Sequence, residues 1–166
     1  MAAIVLKTLP HAVRDGDPIR LIVRETAINQ DGRTLAISTP SGEAQERLIR
    51  DCYQKARLDP KQTSYVEAHG TGTGAGDPLE LAVISAAFPG QQIQVGSVKA
   101  NIGHTEAVSG LASVIKVALA VEKGIIPPNA RFLQPSKKLL KDTHIQVALS
   151  SRFFSSHSII SIPAPR

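Results

Sequence analysis

The sequence predicts an α/β fold, and three observations carry that prediction. Two strand–loop–helix units follow one another, at residues 64–88 and 92–124, and each holds a histidine in its loop. The chain has 166 residues, 42% of them apolar, enough for one domain with a real core. Charged residues make up 20% and no low-complexity tract dominates, which excludes disorder as the default.

Each element has its own signal. The opening run Met1-Ala-Ala-Ile-Val-Leu-Lys7 is too short for a signal peptide. Residues 19–28 are rich in β-branched and apolar types and end at the turn signal Asp31-Gly32, so they predict a strand. Thr39-Pro40-Ser41 then opens a helix. Along it Ala44, Leu48, Cys52 and Ala56 recur every four residues with Ile49 beside them, and Pro60 closes the segment. Ser64-Tyr-Val-Glu-Ala68 is a short strand that delivers His69 to its end. After the glycine-rich loop, Asp77-Pro-Leu-Glu80 reads as a helix start. Asp77 is the expected N-cap, Pro78 the first helical residue and Glu80 the capping-box partner, with the helix running to about Phe88.

The second unit repeats the pattern. Residues 92–98 predict a strand, 99–104 a loop, and Thr105 an N-cap. The next helix is apolar on nearly every side and so predicts burial, with Gly124 as its stop and Pro127-Pro128 preventing continuation. No internal sequence repeat extends beyond these two units. The Ser- and Pro-rich segment 150–166 is expected to be irregular, leaving 1–149 as the domain.

Charge and cysteine usage narrow the function classes. The formal charge is +5, without a Lys/Arg-rich block or interleaved aromatics, so it predicts a solvated basic surface rather than a nucleic-acid site. The same surplus can attract an acidic protein partner. The longest apolar stretch, 107–121, is broken by Ser109, Ser113 and Lys116, which argues against a membrane span. A single cysteine makes no internal disulfide, and a reducing, soluble compartment, the cytoplasm, fits best.

Two segments hold most of the chemistry: Val66-Glu-Ala-His69-Gly-Thr-Gly-Thr73-Gly-Ala-Gly-Asp77 and Lys99-Ala-Asn-Ile-Gly-His104-Thr-Glu106. One histidine beside glycines is more often a structural loop residue. Two at equivalent places in successive βα units can both be aimed into one cleft by adjacent parallel strands. Neutral imidazoles there can donate N–H bonds to an oxygen that becomes negative in a transition state. Glycines allow close approach, Thr71 and Thr73 offer hydroxyls, and Lys99 places a positive charge that disfavours protonation of His104. The loop lacks both the G-x-G-x-x-G spacing of dinucleotide folds and the G-K-[ST] ending of a P-loop. A metal site from His69, Asp77, His104 and Glu106 is a weaker reading, because no H-E-x-x-H or similar pairing supports it.

Glu67-Ala-His-Gly-Thr-Gly-Thr73 with Gly76-Asp77-Pro78 resembles the first histidine motif of β-ketoacyl synthases. Lys99 to Glu106, continuing through Ala107-Val-Ser-Gly110, resembles their second. Leu6-Lys7, Asp15-Gly-Asp-Pro-Ile19 and Asn29-Gln-Asp-Gly32 are similar to type I polyketide synthases in particular. The resemblance covers about 6–135 and implies the C-terminal half of a thiolase-like α/β/α/β/α fold, incomplete here. It implies decarboxylative Claisen condensation of acyl and malonyl-type thioesters, and homodimers. It implies no directly bound cofactor, the substrates riding on the phosphopantetheine of an acyl carrier protein. By resemblance His69 and His104 stabilise the enolate or thioester oxyanion, Lys99 and Glu106 support them, and Thr71 and Thr73 contact the phosphopantetheine arm. As more local readings, Glu106 serves the helix N-terminus and Asp77 is a cap.

The departures from the family pattern set further expectations. The family's nucleophilic cysteine lies upstream in a small-residue motif, whereas Cys52 stands in Ile49-Arg-Asp-Cys-Tyr-Gln54, a packing position on a helix. The family's glycine-rich Asn-Ala-His segment is absent, His157 does not replace it, and His11 and His144 read as surface or loop histidines. The isolated chain is therefore expected to be a fragment inactive in condensation. The alternatives are a non-catalytic remnant or carrier-protein-binding module and, more weakly, a metal-dependent hydrolase.

Overall fold

The computed structural model describes residues 1–32, 34, 40–74, 76–90, 92–130, 144–153 and 159–162. His157 and residue 39 lie outside them. The chain begins with a short helix, α1 (Leu9–Arg14), and then runs without regular structure through residues 17–32. The strand expected at 19–28 is not formed. Ile19, Ile22, Val23 and Ile28 are 44%, 52%, 52% and 95% exposed, and no described strand lies beside them. β-branched residues favour a strand because they fit a half-buried pleated surface, and here that surface is missing.

Helix α2 (Gly42–Ala56) starts where Ser41 Oγ accepts the Ala44 N–H at 3.2 Å. It ends four residues before Pro60, through Arg57 in the left-handed region at φ 53°. Its most buried ridge is Ile49 and Tyr53, one position round from the expected stripe. Tyr53 meets Phe88 edge-on at 5.4 Å and bonds the Thr63 hydroxyl at 2.6 Å.

A 3₁₀ turn (Pro60–Gln62) leads into β1 (Thr63–Glu67), which is followed by α3 (Gly76–Ala87) and β2 (Ile93–Gly96). Where a loop is expected after β2, one helical turn forms instead, α4 (Lys99–Ile102). A second 3₁₀ turn (Glu106–Val108) precedes α5 (Ser109–Lys123), which Gly124 ends at φ 64°. Thr105 makes no capping bond, and Val108 occupies the cap of α5. The remaining strands are β3 (Ile125–Ile126), β4 (Ile145–Val147), β5 (Arg152–Phe153) and β6 (Ile159–Ser161).

The main sheet is parallel throughout in the order β4-β2-β1-β6, and β3 pairs antiparallel with β5. Segment 150–166, expected to be irregular, thus contributes two short strands, one of them hydrogen-bonded beside β1. Parallel strands need cover on both faces. On one face Val66, Ala68, Ile93, Val95 and Ile145 pack with Ile49, Tyr53, Val83, Ile84 and Phe88 of the α2–α3 layer. On the other, Tyr65 packs with Val117 of α5, Ile126 and Ala148. Along α5 only Ser109, Ser113, Val117 and Ala120 are buried, and Leu119 and Val121 near its end are exposed, so the expectation of a fully buried helix is corrected.

The α5 face also encloses charge. Glu67 is 0% exposed, and its Oε2 accepts from the Tyr65 hydroxyl at 2.5 Å and from Lys116 Nζ at 2.7 Å. Gly96, paired with Glu67 across β1 and β2, leaves the space this cluster needs. A Cβ on Gly96 would stand 2.5 Å from the Tyr65 hydroxyl and 3.2 Å from Asn129 Oδ1. Gly96→Ala is therefore expected to destabilise the fold by about 1–3 kcal/mol, the cost of overpacking. A urea midpoint unchanged from the wild-type chain would contradict this.

Candidate functional site

Strands β1 and β2 lie side by side in register, Glu67 opposite Gly96, so their C-terminal ends open at the same level. His69 leaves β1 two residues beyond its end, while His104 follows β2 by eight. An extended run of eight residues would span roughly 26 Å. The turn of α4 shortens that path: Asn101 and Ile102 donate to the Val98 carbonyl at 2.9 and 3.0 Å, and Gly103 to Lys99 at 2.9 Å. Gly103 then turns the chain at φ 77°. The two imidazoles finish with ring centroids 5.8 Å apart, edge to face at 82°. The expectation that adjacent parallel strands bring both rings together is met.

Carboxylates hold the first loop. Glu80 accepts the His69 N–H at 2.6 Å through Oε1 and the Gly70 N–H at 2.9 Å through Oε2. Asp77 Oδ1 accepts the Gly72 N–H at 3.1 Å. Both acids were expected at a helix cap. Instead α3 begins one residue earlier, at Gly76, whose N–H goes to Thr73 Oγ1 at 3.1 Å, which frees the acids to brace the glycine loop. Burial pushes the Glu80 carboxyl up, opposed by the two backbone N–H groups it receives. Gly70 adopts φ 50°, and a Cβ there would stand 2.8 Å from Ser97 Cβ. Ser97 links the loops: its hydroxyl donates to the His69 carbonyl at 3.2 Å and accepts the Lys99 N–H at 3.3 Å.

The second loop fixes a tautomer. Glu106, at φ 50°, turns its backbone N–H onto His104 Nδ1 at 3.1 Å. An accepting Nδ1 leaves the proton of the neutral ring on Nε2, the nitrogen free to donate. The sequence pointed to the Glu106 side chain, but that side chain is 90% exposed and its carboxylate stands 3.7 Å from His104 Nδ1.

The electrostatics favour a neutral ring at His69. His69 is half-buried, its Nδ1 enclosed with no hydrogen-bond partner among the described residues, and its pKa is held below the usual value by burial, then by the charges of Lys99 and His104. The charge of Lys99 thus reaches the first ring, His69. Burial also lowers Lys99, while Glu67 and Glu80 oppose that shift. Thr71 and Thr73 stand exposed along the loop. Cys52 is half-buried on α2, and burial, followed by the charge of Glu25, pushes its thiol up, which suits packing and not nucleophilic attack. His11 is exposed, and His144 bonds the Ser85 hydroxyl at 3.1 Å.

Sequence reading did not find Glu80, Ser97 or the Tyr65–Glu67–Lys116 cluster. The available signal was a charged residue on otherwise apolar elements: Glu67 in a buried strand and Lys116 in an apolar helix. Among the described residues, no three of His, Cys, Asp and Glu converge as metal ligands would, and no helix is long and apolar enough to cross a membrane.

Comparison with known proteins agrees with this geometry. Residues 21–133 match the family model for the β-ketoacyl synthase C-terminal domain. A lovastatin diketide synthase of Aspergillus terreus is 91% identical over 152 residues, covering 92% of this chain and 6% of that protein. One from Monascus pilosus is 75% identical over 154 residues, covering 93% and 6%. Among solved structures, the oxazolomycin ketosynthase domain of Streptomyces albus superposes with a TM-score of 0.88 at 33% identity, over 94% of this chain and 29% of that one. The ketosynthase from module 6 of the bacillaene synthase of Bacillus subtilis gives 0.84 at 38%, over 90% and 28%. The chain thus spans a small part of the relatives it matches.

A pKa held below the ordinary value of about 6.5 means that folded His69 binds fewer protons than the unfolded chain does. Its contribution to stability is therefore complete above that pH and is lost as pH falls from about 6.5 toward the folded value. In an NMR titration His69 is expected to have a midpoint below 6.5, moving upward in Lys99→Gln. A wild-type midpoint above 6.5 would contradict the assignment.

Proposed function

Because this chain belongs to the β-ketoacyl synthases, a family of condensing transferases, and matches the C-terminal part of a ketosynthase domain, we propose that His69 and His104 are its pair of oxyanion donors. The reaction is a decarboxylative Claisen condensation. The bond between the malonyl α-carbon and its carboxylate breaks and CO2 leaves. The electron pair moves into an enolate, and the thioester oxygen takes up negative charge. That carbon then attacks an acyl thioester, forming the new carbon–carbon bond and expelling a thiolate. Two fixed N–H donors lower the barrier because they meet the charge as it develops and need no reorganisation.

One observation carries this reading: two imidazoles 5.8 Å apart at the ends of adjacent strands, one with its Nδ1 already occupied by a backbone N–H. Burial, then the charge of Lys99, lowers the His69 pKa and so favours the neutral, donating ring, and the backbone of Glu106 does the orienting at His104. The exposed Thr71 and Thr73 line the approach for a phosphopantetheine arm. The arm belongs to an acyl carrier protein, for which the +5 charge of the chain is a suitable acidic-partner surface. The finer assignment is of the 3-oxoacyl-[acyl-carrier-protein] synthase type, working as a homodimer in the full ketosynthase. The family match spans residues 21–133, and β6, paired with β1, carries the ketosynthase part past the boundary expected at residue 149.

The 166 residues hold one cysteine, and Cys52 has neither the position nor the lowered pKa of a nucleophile. Taken alone, the chain is a histidine-bearing part that binds a carrier at most. Purified and mixed with acyl- and malonyl-loaded carrier protein, it is expected to form no carrier-bound β-ketoacyl product, and such a product by mass spectrometry would refute this. In a complete ketosynthase domain carrying this segment, His69→Ala or His104→Ala is expected to slow CO2 release from malonyl-carrier by about 10²–10³-fold. A rate within twofold of the parent domain would remove the donor role.

A further inference from the structure

Glu67 touches neither histidine, yet it bonds to both ends of the segment that holds His104. Its Oε1 accepts the Val98 N–H at 2.5 Å, at the entrance to that segment, and its Oε2 accepts from Lys116 Nζ at 2.7 Å, on the helix that leaves it. Val98 is the residue whose carbonyl receives both Asn101 and Ile102, so fixing Val98 fixes α4 and, through Gly103, the base of His104. Lys116 lies on α5, which begins directly after the 3₁₀ turn that presents the Glu106 N–H to His104. Glu67 itself is the last residue of β1, two positions before His69.

We propose that Glu67, with Lys116 and Tyr65, is a positioning group that sets His104 against His69, through one buried carboxylate joining β1, α4 and α5. The inference rests on the reading of the two histidines as donors. Stability alone does not account for the cluster. A buried ion pair is often no better for the fold than apolar residues of the same shape, because desolvation offsets its attraction. Here the carboxylate is 0% exposed and the Lys116 side chain 10% exposed, so both carry that cost. What an apolar residue cannot supply is an acceptor for the Val98 N–H at a fixed distance from β1. Tyr65 completes the fit, its hydroxyl donating to Glu67 Oε2 at 2.5 Å and accepting from Lys116 Nζ at 2.8 Å.

The test uses this chain and reads its histidines by ¹⁵N NMR and its amides by hydrogen exchange. Glu67→Asp keeps the charge but shortens the reach by one methylene. It is expected to lower exchange protection at the Val98 and Glu106 amides at least tenfold and to mix the His104 tautomers. Glu67→Gln/Lys116→Met removes both charges and keeps the oxygen acceptor, and is expected to restore protection and the single tautomer. Ile93→Val, in the core of the neighbouring strand, serves as a control that lowers stability without touching the cluster. The proposal is overturned if Glu67→Asp changes the Val98 and Glu106 amides and the His104 signature no more than Ile93→Val does, or if the double variant folds without restoring them. A wild-type His104 protonated on Nδ1 would instead refute the donor reading, and the two amides would still decide the positioning role.

Discussion

The parallel pairing of β1 with β2 is the constraint on which the rest depends. Neighbouring strands in a sheet lie about 4.7–4.9 Å apart, and the register sets Glu67 opposite Gly96 so that both strands end together. Two side chains released at those ends start within one strand spacing of each other. The centroid separation of 5.8 Å between His69 and His104 follows from that spacing, provided the longer second loop is drawn back. The turn of α4 draws it back.

Holding that geometry falls to carboxylates that carry none of the chemistry. Glu80 receives the two backbone N–H groups of the His69 turn, and Glu67 receives the N–H that opens the His104 segment. Polar groups buried this far from water persist only when paired, and a paired network has one low-energy arrangement. The same burial that makes these pairs necessary lowers the pKa of His69 and so favours the neutral, donating ring. Structural and electrostatic roles thus share one cause, exclusion of water at the strand ends.

The site was legible in the sequence where chemistry follows from residue type and order. His69, His104, Lys99 and the glycines between them announced a two-histidine site, and the two βα units announced a parallel sheet. Legibility failed where a partner decides. The β-branched run at 19–28 has strand propensity but no neighbouring ladder, and it stays exposed. Asp77 and Glu80 have the spacing of a capping box, but once Gly76 is held by Thr73 their carboxylates turn to the loop. Glu106 meets His104 most closely through its backbone N–H, at 3.1 Å against 3.7 Å for its carboxylate, a contact that residue type does not announce.

By itself, then, the sequence determined the family, the α/β class, the identity of the two imidazoles and the unsuitability of Cys52 as a nucleophile. These depend on local order and on side-chain chemistry that does not change with distance. The separation and tautomer of the imidazoles were decided only by tertiary structure, as was the burial of Glu67 with Lys116, 49 positions away in the chain. Each of those depends on groups remote in sequence meeting within hydrogen-bond reach, and strand register and the enclosing helix bring about that meeting.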